Sequence, residues 1–344
     1  MIRFASDYTE GAHPSILAAL ADTNYEQNPG YGEDPHCARA AGLIREACAF
    51  PDAAVHFLVG GTQANTIVIA SVLKPYEGVL CADTGHIHVH ETGSVEATGH
   101  KVLALPSHEG KITAQQILKA YESHIQDANF EHIVRPGMVY ISHPTEYGTL
   151  YTLDELTAIS EVCRQFELPL FLDGARLGYG LASPETDVTL RDIARLCDVF
   201  YIGGTKVGAL FGEAVVITDP RLQTNFRYMM KRGGAMLAKG WLLGIQFEQL
   251  FEHGLYQKLG THAVTLAFRI RDAFREKGIR FIMESPTNQQ FPILTSAQRE
   301  TLGREFAYSL WEKVDEDCSA VRFCTSWATK EGDVEKLITA IRSL

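Results

Sequence analysis

Val199-Phe-Tyr-Ile-Gly-Gly-Thr-Lys206-Val-Gly-Ala-Leu-Phe-Gly212 is the stretch around which the chain is organised. Val199 to Ile202 is a short apolar run that reads as a buried strand. It breaks into Gly203-Gly204-Thr205, and Lys206 follows at once. Glycines leave room for a flat ligand, and burial lowers a lysine pKa toward the neutral amine that attacks a carbonyl. A lysine that simply leaves a strand for water is the plainer account of this stretch taken alone.

Leu168-Pro-Leu-Phe-Leu-Asp173-Gly-Ala-Arg176 adds a second buried strand, this one ending in an acid. Thr189 to Leu196 is helical in pattern and lies between the two. Strand, helix, strand over about 30 residues is one βαβ unit. Asp173 and Lys206 then stand at the carboxyl ends of neighbouring parallel strands, where open α/β sheets bind ligands. A lysine opposite a carboxylate suits pyridoxal 5′-phosphate. The lysine forms the Schiff base, and the carboxylate keeps the pyridine nitrogen protonated.

The 344 residues carry a net charge of −11, with 46% hydrophobic and 21% charged residues. That is the composition of an ordinary globular chain. No basic block favours nucleic acid or an anionic membrane as partner. No apolar run has transmembrane length, and the N-terminus shows no signal-peptide pattern, so a cytoplasmic protein is expected. Seven single cysteines without a CxxC point to reduced core thiols rather than a disulfide framework.

Taken in order, residues 1–35 read as an N-terminal arm, with Gln27-Asn-Pro-Gly-Tyr31-Gly-Glu-Asp-Pro35 dense in turn formers. Residues 36–250 read as a large domain. Ala54 to Val59 is a strand that runs into Gly60-Gly61-Thr62, which opens an apolar helix. Such a turn offers free N–H groups to a phosphate, although Thr62 would also serve as a plain helix cap. After the Gly78–Ala82 strand comes Asp83-Thr-Gly-His86-Ile-His88-Val-His90-Glu91. On a strand the three histidines would share a face and suggest a metal. The preferred reading has His86 flat against a cofactor ring and no metal, with His88, His90 and Glu91 beginning a helix. Gly137 to Ser142 is a strand ending in the polar cluster His143-Pro-Thr145-Glu146, and Glu213 to Ile217 is another strand. The alternation predicts a three-layer α/β/α fold with a mostly parallel sheet. A long helical stretch, Ala235 to Lys277, with breaks expected near Gly254 and Gly260, leads into a smaller α+β domain over 251–344, with a helix expected at Ser296–Trp311. Arg322 lies in the last strand and needs an anionic partner, either a substrate carboxylate or a structural acid.

This ordered set resembles the threonine aldolases of the aromatic amino acid β-eliminating lyase group, within fold-type I pyridoxal phosphate enzymes. The resemblance runs through Ser6-Asp7, Tyr31 to Pro35, Gly61-Thr62-x-x-Asn65, Asp83 to Glu91, Asp173 to Arg176, Thr205-Lys206 and Arg322. It implies the aspartate-aminotransferase-like fold and a retro-aldol cleavage of L-threonine or L-allo-threonine to glycine and acetaldehyde. Lys206 would be the Schiff-base lysine, Asp173 the partner of the ring nitrogen and His86 the stacking residue. Gly61 and Thr62 would hold the phosphate. Ser6, Arg176 and Arg322 would bind the substrate carboxylate, and His86, His90, Glu91 and an active-site water are all candidate bases. The family shares active sites between subunits of a dimer or tetramer, which would place Tyr31 in a neighbour's site. Where many members carry an arginine after the Gly-Gly turn near 234, this chain has Leu237, and Lys239 is the candidate substitute on the phosphate. Competing readings are a β-eliminating lyase, a phenylserine-type aldolase, a silent cofactor-binding protein and a metal-dependent hydrolase.

Overall fold

A computed structural model describes all 344 residues. The strands in chain order are β1 (Ile2–Arg3), β2 (Ala54–Leu58), β3 (Glu77–Ala82), β4 (Lys101–Leu105), β5 (Arg135–Ser142), β6 (Leu170–Asp173), β7 (Val199–Gly203) and β8 (Glu213–Ile217). They are followed by β9 (Phe281–Met283), β10 (Gln289–Thr295), β11 (Phe306–Ala307), β12 (Ser309–Lys313) and β13 (Cys318–Cys324).

Seven strands form the central sheet in the order β2-β8-β7-β6-β5-β3-β4. All run parallel except β8, which is antiparallel to both neighbours. The reversal is physical: only nine residues join β7 to β8, too few for a crossover helix. The strands are continuous apolar runs because the sheet is covered on both faces. Alternate residues divide cleanly between two cores. Val139, Ile141, Leu170, Leu172, Phe200 and Ile202 enter one, and Met138, Tyr140, Phe171, Val199 and Tyr201 the other. Each buried large side chain contributes roughly 1.5–3 kcal/mol against the entropy of ordering the chain. Helices Ala114–Gln126, Leu153–Gln165 and Leu190–Leu196 each begin with a capping box, from Thr113, Thr152 and Thr189.

The register decides what meets at the sheet's edge. Ser142 is level with Asp173, and Gly203 with Glu213. The carboxyl ends of β2, β3, β5, β6 and β7 all open on the same side. Gly60, Asp83, His143, Gly174 and Gly204, the residues next after or one beyond those strands, therefore start loops that converge.

Three expectations are corrected. The helical stretch expected from Ala235 starts only at Trp241; it breaks near Gly254, as expected, into Trp241–Phe251 and Leu255–Glu276, with positive φ at His253 and Gly254. Gly260, read as a second break, lies inside the longer helix. A Cβ there would meet the Gly178 carbonyl oxygen at 2.3 Å, so the glycine serves close packing rather than a kink. The expected helix Ser296–Trp311 stops at Gly303, and β11 and β12 take the remainder. Pairing overrides the local pattern there: Phe306 pairs with Ile2, and β12 pairs with β13. The second sheet, β12-β13-β10-β9, packs around a third apolar core that takes in Phe4 from the N-terminal segment.

Candidate active site

Lys206 follows β7 in the turn that Gly203 and Gly204 make possible. A Cβ on Gly203 would meet the Ala175 carbonyl oxygen at 2.2 Å, and one on Gly204 the Gly212 oxygen at 2.8 Å. The turn is tied back by Gly204 N–H donating to Glu213 at 3.1 Å and by Thr205 Oγ1 donating to Glu213 at 2.8 Å. The ε-amine of Lys206 makes no hydrogen bond and no salt bridge. Burial and the nearby Arg176 charge lower its pKa, against the opposing charges of Asp7, Glu213 and Asp173. Glu213 is 4% exposed, and burial lifts its carboxyl to about 8.

Asp173 ends β6 and is buried. Its Oδ1 accepts from Tyr201 Oη at 2.5 Å and Ala175 N–H at 3.0 Å; its Oδ2 accepts from Tyr140 Oη at 2.6 Å and Asn65 Nδ2 at 3.0 Å. Burial pushes its pKa up, but the His86 charge and these hydrogen bonds outweigh it and hold the group low. Asp173 therefore stays an anion in an enclosed site.

Asn65 connects Asp173 to a second acid. Its Nδ2 also donates to Glu91 Oε1 at 2.8 Å, and the same Oε1 pairs with His86 Nδ1 at 2.8 Å. Ser94 Oγ donates to Glu91 Oε2 at 2.7 Å. The His86 pKa is raised, with burial opposing and Glu91 and Asp173 prevailing. Glu91 sits beneath His86, its side chain fully covered, and reaches neither wall of the cavities below. Both its oxygens are already hydrogen-bonded, to Asn65, His86 and Ser94, and its position is that of a support for His86. Residues His86–Val89 form a short helix, not a strand, so the three histidines do not share a strand face. His88 is exposed, and His90 is on the outer wall with its ring 5.6 Å from that of His86.

Two cavities meet over Lys206. The inner one, about 110 Å³, is lined by Gly61, Thr62, Asp173 and Tyr201 among others. The outer one, about 670 Å³, is bounded by Tyr8, Tyr147, Trp311 and Arg322. Four residues line both: His86, Glu146, Arg176 and Lys206. At the inner end the helix Gly61–Val72 begins with no side-chain cap, and the N–H groups of Gly61, Thr62 and Gln63 have no partner in the chain. Such a terminus favours an anion.

The cations of the site are held differently. Arg176 donates through Nε and Nη2 to the two oxygens of Asp7, at 2.7 and 3.0 Å. Arg322 donates to Gln289 Oε1 at 3.2 Å and to the Ala5 carbonyl at 3.1 Å, and lies 5.2 Å over the Trp311 ring. Its buried Nε has no partner. Ser6 falls between Ala5 and Asp7, but its hydroxyl makes no hydrogen bond and Ser6 is on neither cavity wall.

Tyr31 and Lys239 are not brought to Lys206. The backbone of the Tyr31 loop packs on residues 238–240, with Tyr31 N–H donating to the Ala238 oxygen at 3.3 Å. Both residues are exposed there, and Lys231 lies 4.7 Å over the Tyr31 ring. The sequence reading missed Tyr140 and Tyr201 as partners of Asp173, and Asp7 as the partner of Arg176. The available signal was a tyrosine inside each of two largely apolar strands, whose hydroxyls must find a partner when buried.

A family model described as Beta-eliminating lyase matches residues 3–296. The low specificity L-threonine aldolase of Pseudomonas sp. (strain NCIMB 10558) is 30% identical over 345 residues, covering 99% of this chain and 97% of that protein. The solved structure of Leishmania major threonine aldolase superposes with a TM-score of 0.97 at 45% identity, covering 100% of this chain and 99% of that one. The histidinol-phosphate aminotransferase of Clostridium acetobutylicum shares the fold, with a TM-score of 0.74 at 11% identity over 100% of this chain and 98% of its own.

Proposed function

The chain belongs to the β-eliminating lyase family and is related along its whole length to threonine aldolases, and on that premise we propose that it cleaves L-threonine and L-allo-threonine to glycine and acetaldehyde. It is a carbon–carbon lyase, and its cofactor is pyridoxal 5′-phosphate. The observation that carries the reading is the unpaired, pKa-lowered amine of Lys206 beside the buried anion of Asp173.

The residues present fit the cofactor. Lys206 would hold its carbonyl carbon, and the free N–H groups at Gly61 to Gln63 would hold its phosphate. Asp173 would hold the ring nitrogen. Each of its oxygens already accepts two hydrogen bonds, so a ring N–H would replace one of them. When bound, the cofactor supplies a conjugated ring that accepts the electron pair of the bond broken at Cα.

The rest falls to the protein. Arg322 and Arg176 would clamp the substrate carboxylate, and a fixed carboxylate fixes the direction of the Cα–Cβ bond. Asp7 holds the Arg176 guanidinium in place, and the buried Nε of Arg322 is a donor still without a partner. His86, its pKa raised by Glu91 and Asp173 against the effect of burial, would lie against the cofactor ring. Tyr8, Tyr147 and Trp311 narrow the outer cavity against water.

Purified protein incubated with pyridoxal 5′-phosphate is expected to show a visible absorption band, and added L-threonine to give glycine and acetaldehyde in equal amounts. Lys206→Ala should lack both the band and turnover. Cleavage at an undiminished rate by Lys206→Ala would overturn the assignment. Ammonia with a keto acid, in place of glycine, would favour β-elimination. The volume and aromatic wall of the outer cavity support a second reading, the same cleavage on larger substrates such as phenylserine. A higher kcat/KM for phenylserine than for threonine would support it.

Tyr31 and Lys239, exposed side by side and away from Lys206, support a homodimer or homotetramer in which they complete a neighbour's site. Seven free cysteines support a cytoplasmic setting, and no helix is long and apolar enough to cross a membrane.

A further inference from the structure

Glu146 was not among the bases that the sequence suggested. It follows β5 by four residues, within hydrogen-bond reach of His86 and Ser142. Its Oε1 accepts from the His86 backbone N–H at 2.9 Å and from Ser142 Oγ at 2.8 Å. Both partners are donors, so Oε1 acts as an acceptor and a proton on this carboxyl group belongs on Oε2. Oε2 is shielded from solvent and has no partner. A buried polar atom left without a partner is uncommon in folded proteins and calls for one.

Glu146 is also one of the four residues common to both cavities. The reacting Cα–Cβ bond belongs at that junction, between the cofactor's place and the side-chain space. The other three are committed. The Arg176 guanidinium is bonded to Asp7, and Lys206 is the cofactor's amine. Glu91 takes up His86 Nδ1 at 2.8 Å and, with Asp173, raises the ring's pKa, which favours the form whose second nitrogen donates. His90 stands only on the outer wall.

Resting on the aldolase reading, we propose that Glu146 is a catalytic residue that exchanges the proton of the substrate's β-hydroxyl through Oε2. In cleavage, Oε2 takes the hydroxyl proton. The O–H electron pair becomes the second C–O bond of the aldehyde, and the Cα–Cβ pair leaves with the glycine fragment. That fragment needs one proton at Cα to become glycine, which equals the proton that Glu146 has gained. The carboxyl group returns to its starting state when it passes that proton on or loses it to solvent. In the reverse direction it donates to the aldehyde oxygen. Burial and the Asp173 charge hold the Glu146 carboxyl above the usual carboxylate range, against the Ser142 hydrogen bond and the His86 charge. A carboxyl group so placed exchanges protons nearer to neutral pH.

The test is Glu146→Gln in the holoenzyme. The amide oxygen can still accept from His86 and Ser142, so the loop and the visible cofactor band should persist. The expected result is a kcat for threonine cleavage lower by about 10²–10⁴-fold, with the affinity for glycine, which has no β-hydroxyl, unchanged. The acid limb of the kcat–pH profile should vanish in Glu146→Gln and survive in Glu146→Asp. Independently of turnover, a protonated-carboxyl stretch should grow into the infrared spectrum of wild type as pH is lowered through the acid limb, and Glu146→Gln should lack it. Wild-type cleavage with an undiminished Gln variant overturns the assignment alone. A parallel loss of glycine affinity and kcat also overturns it, because that reduces Glu146 to a support for His86. Wild type that binds cofactor yet makes no glycine overturns the aldolase reading and this assignment with it.

Discussion

Asp7 and Arg176, 169 residues apart in the chain, form a two-point ion pair at 2.7 and 3.0 Å, with the carboxylate completely buried. Asn288 Nδ2 adds a third donor to Asp7 at 2.9 Å. The N-terminal segment is thereby fastened to the loop after β6 and to the segment before β10.

Removing one partner leaves the other charge buried and unpaired. Asp7→Ala should cost about 3–5 kcal/mol of stability in urea unfolding and raise KM for the amino acid. Burial works against the Asp7 carboxyl, but Arg176 holds it at about 2. The depressed value means that the pair's contribution is present above the ordinary carboxylate range and is lost as pH falls toward about 2. Stability of wild type should therefore drop on acidification below that range more steeply than that of Asp7→Asn.

Gly61 and Gly60 separate packing from flexibility. A Cβ on Gly61 would lie 2.9 Å from Tyr201 Oη, whereas one on Gly60 would meet nothing within 4 Å. Gly61→Ala should displace Tyr201 from Asp173 and weaken cofactor affinity by about tenfold or more, the loss of roughly one hydrogen bond to a charged group. Gly60→Ala should bind cofactor nearly as wild type does. Titration of the visible band in both variants checks the contrast.

Glu213 carries a carboxyl group lifted by burial to about 8, with Lys206, Thr205 and the Gly204 N–H pulling it down. The native state keeps a proton that the unfolded chain releases at lower pH. Stability should therefore decline as pH rises from the ordinary carboxylate value of 4.5 toward 8. Glu213→Gln preserves the acceptor for Thr205 and should flatten that decline. Urea midpoints measured across this pH range decide it, and equal slopes for both proteins would contradict the buried carboxyl account.

Glu91→Gln should lower the His86 pKa. The carboxylate is the main group raising it, and protonated His86 stabilises the fold below the unfolded value of 6.5 and loses that contribution as pH rises through the folded value. Imidazole chemical shifts followed by NMR give the change directly. A His86 titration unchanged in Glu91→Gln would mean that Asp173 and Glu146 support the cation without Glu91.

Legibility in the sequence followed the range of each interaction. The β6 to β7 unit, with Asp173 and Lys206 at its ends, was readable because an apolar strand, a helix and another strand are local patterns. The helix at Gly61 was readable from a Gly-Gly-Thr turn before an apolar run. The end of the helix begun at Ser296 was not, because β11 and β12 exist through pairing with β1 and β13. Glu91 looked like a base beside His86. Only its three partners, Asn65, His86 and Ser94, show that it is enclosed.

The sequence by itself determined the α/β alternation, the buried lysine and aspartate at neighbouring strand ends, and the glycines that open a space between them. Those follow from apolar periodicity and from steric rules that act over a few residues. The tertiary structure alone decided which polar atoms remain free. Asp7 takes up Arg176, Tyr140 and Tyr201 take up Asp173, Glu91 takes up His86, and Glu146 Oε2 and Lys206 are left without partners. A hydrogen bond needs its two atoms within about 3 Å, and that condition is set by register and packing between segments far apart in the chain.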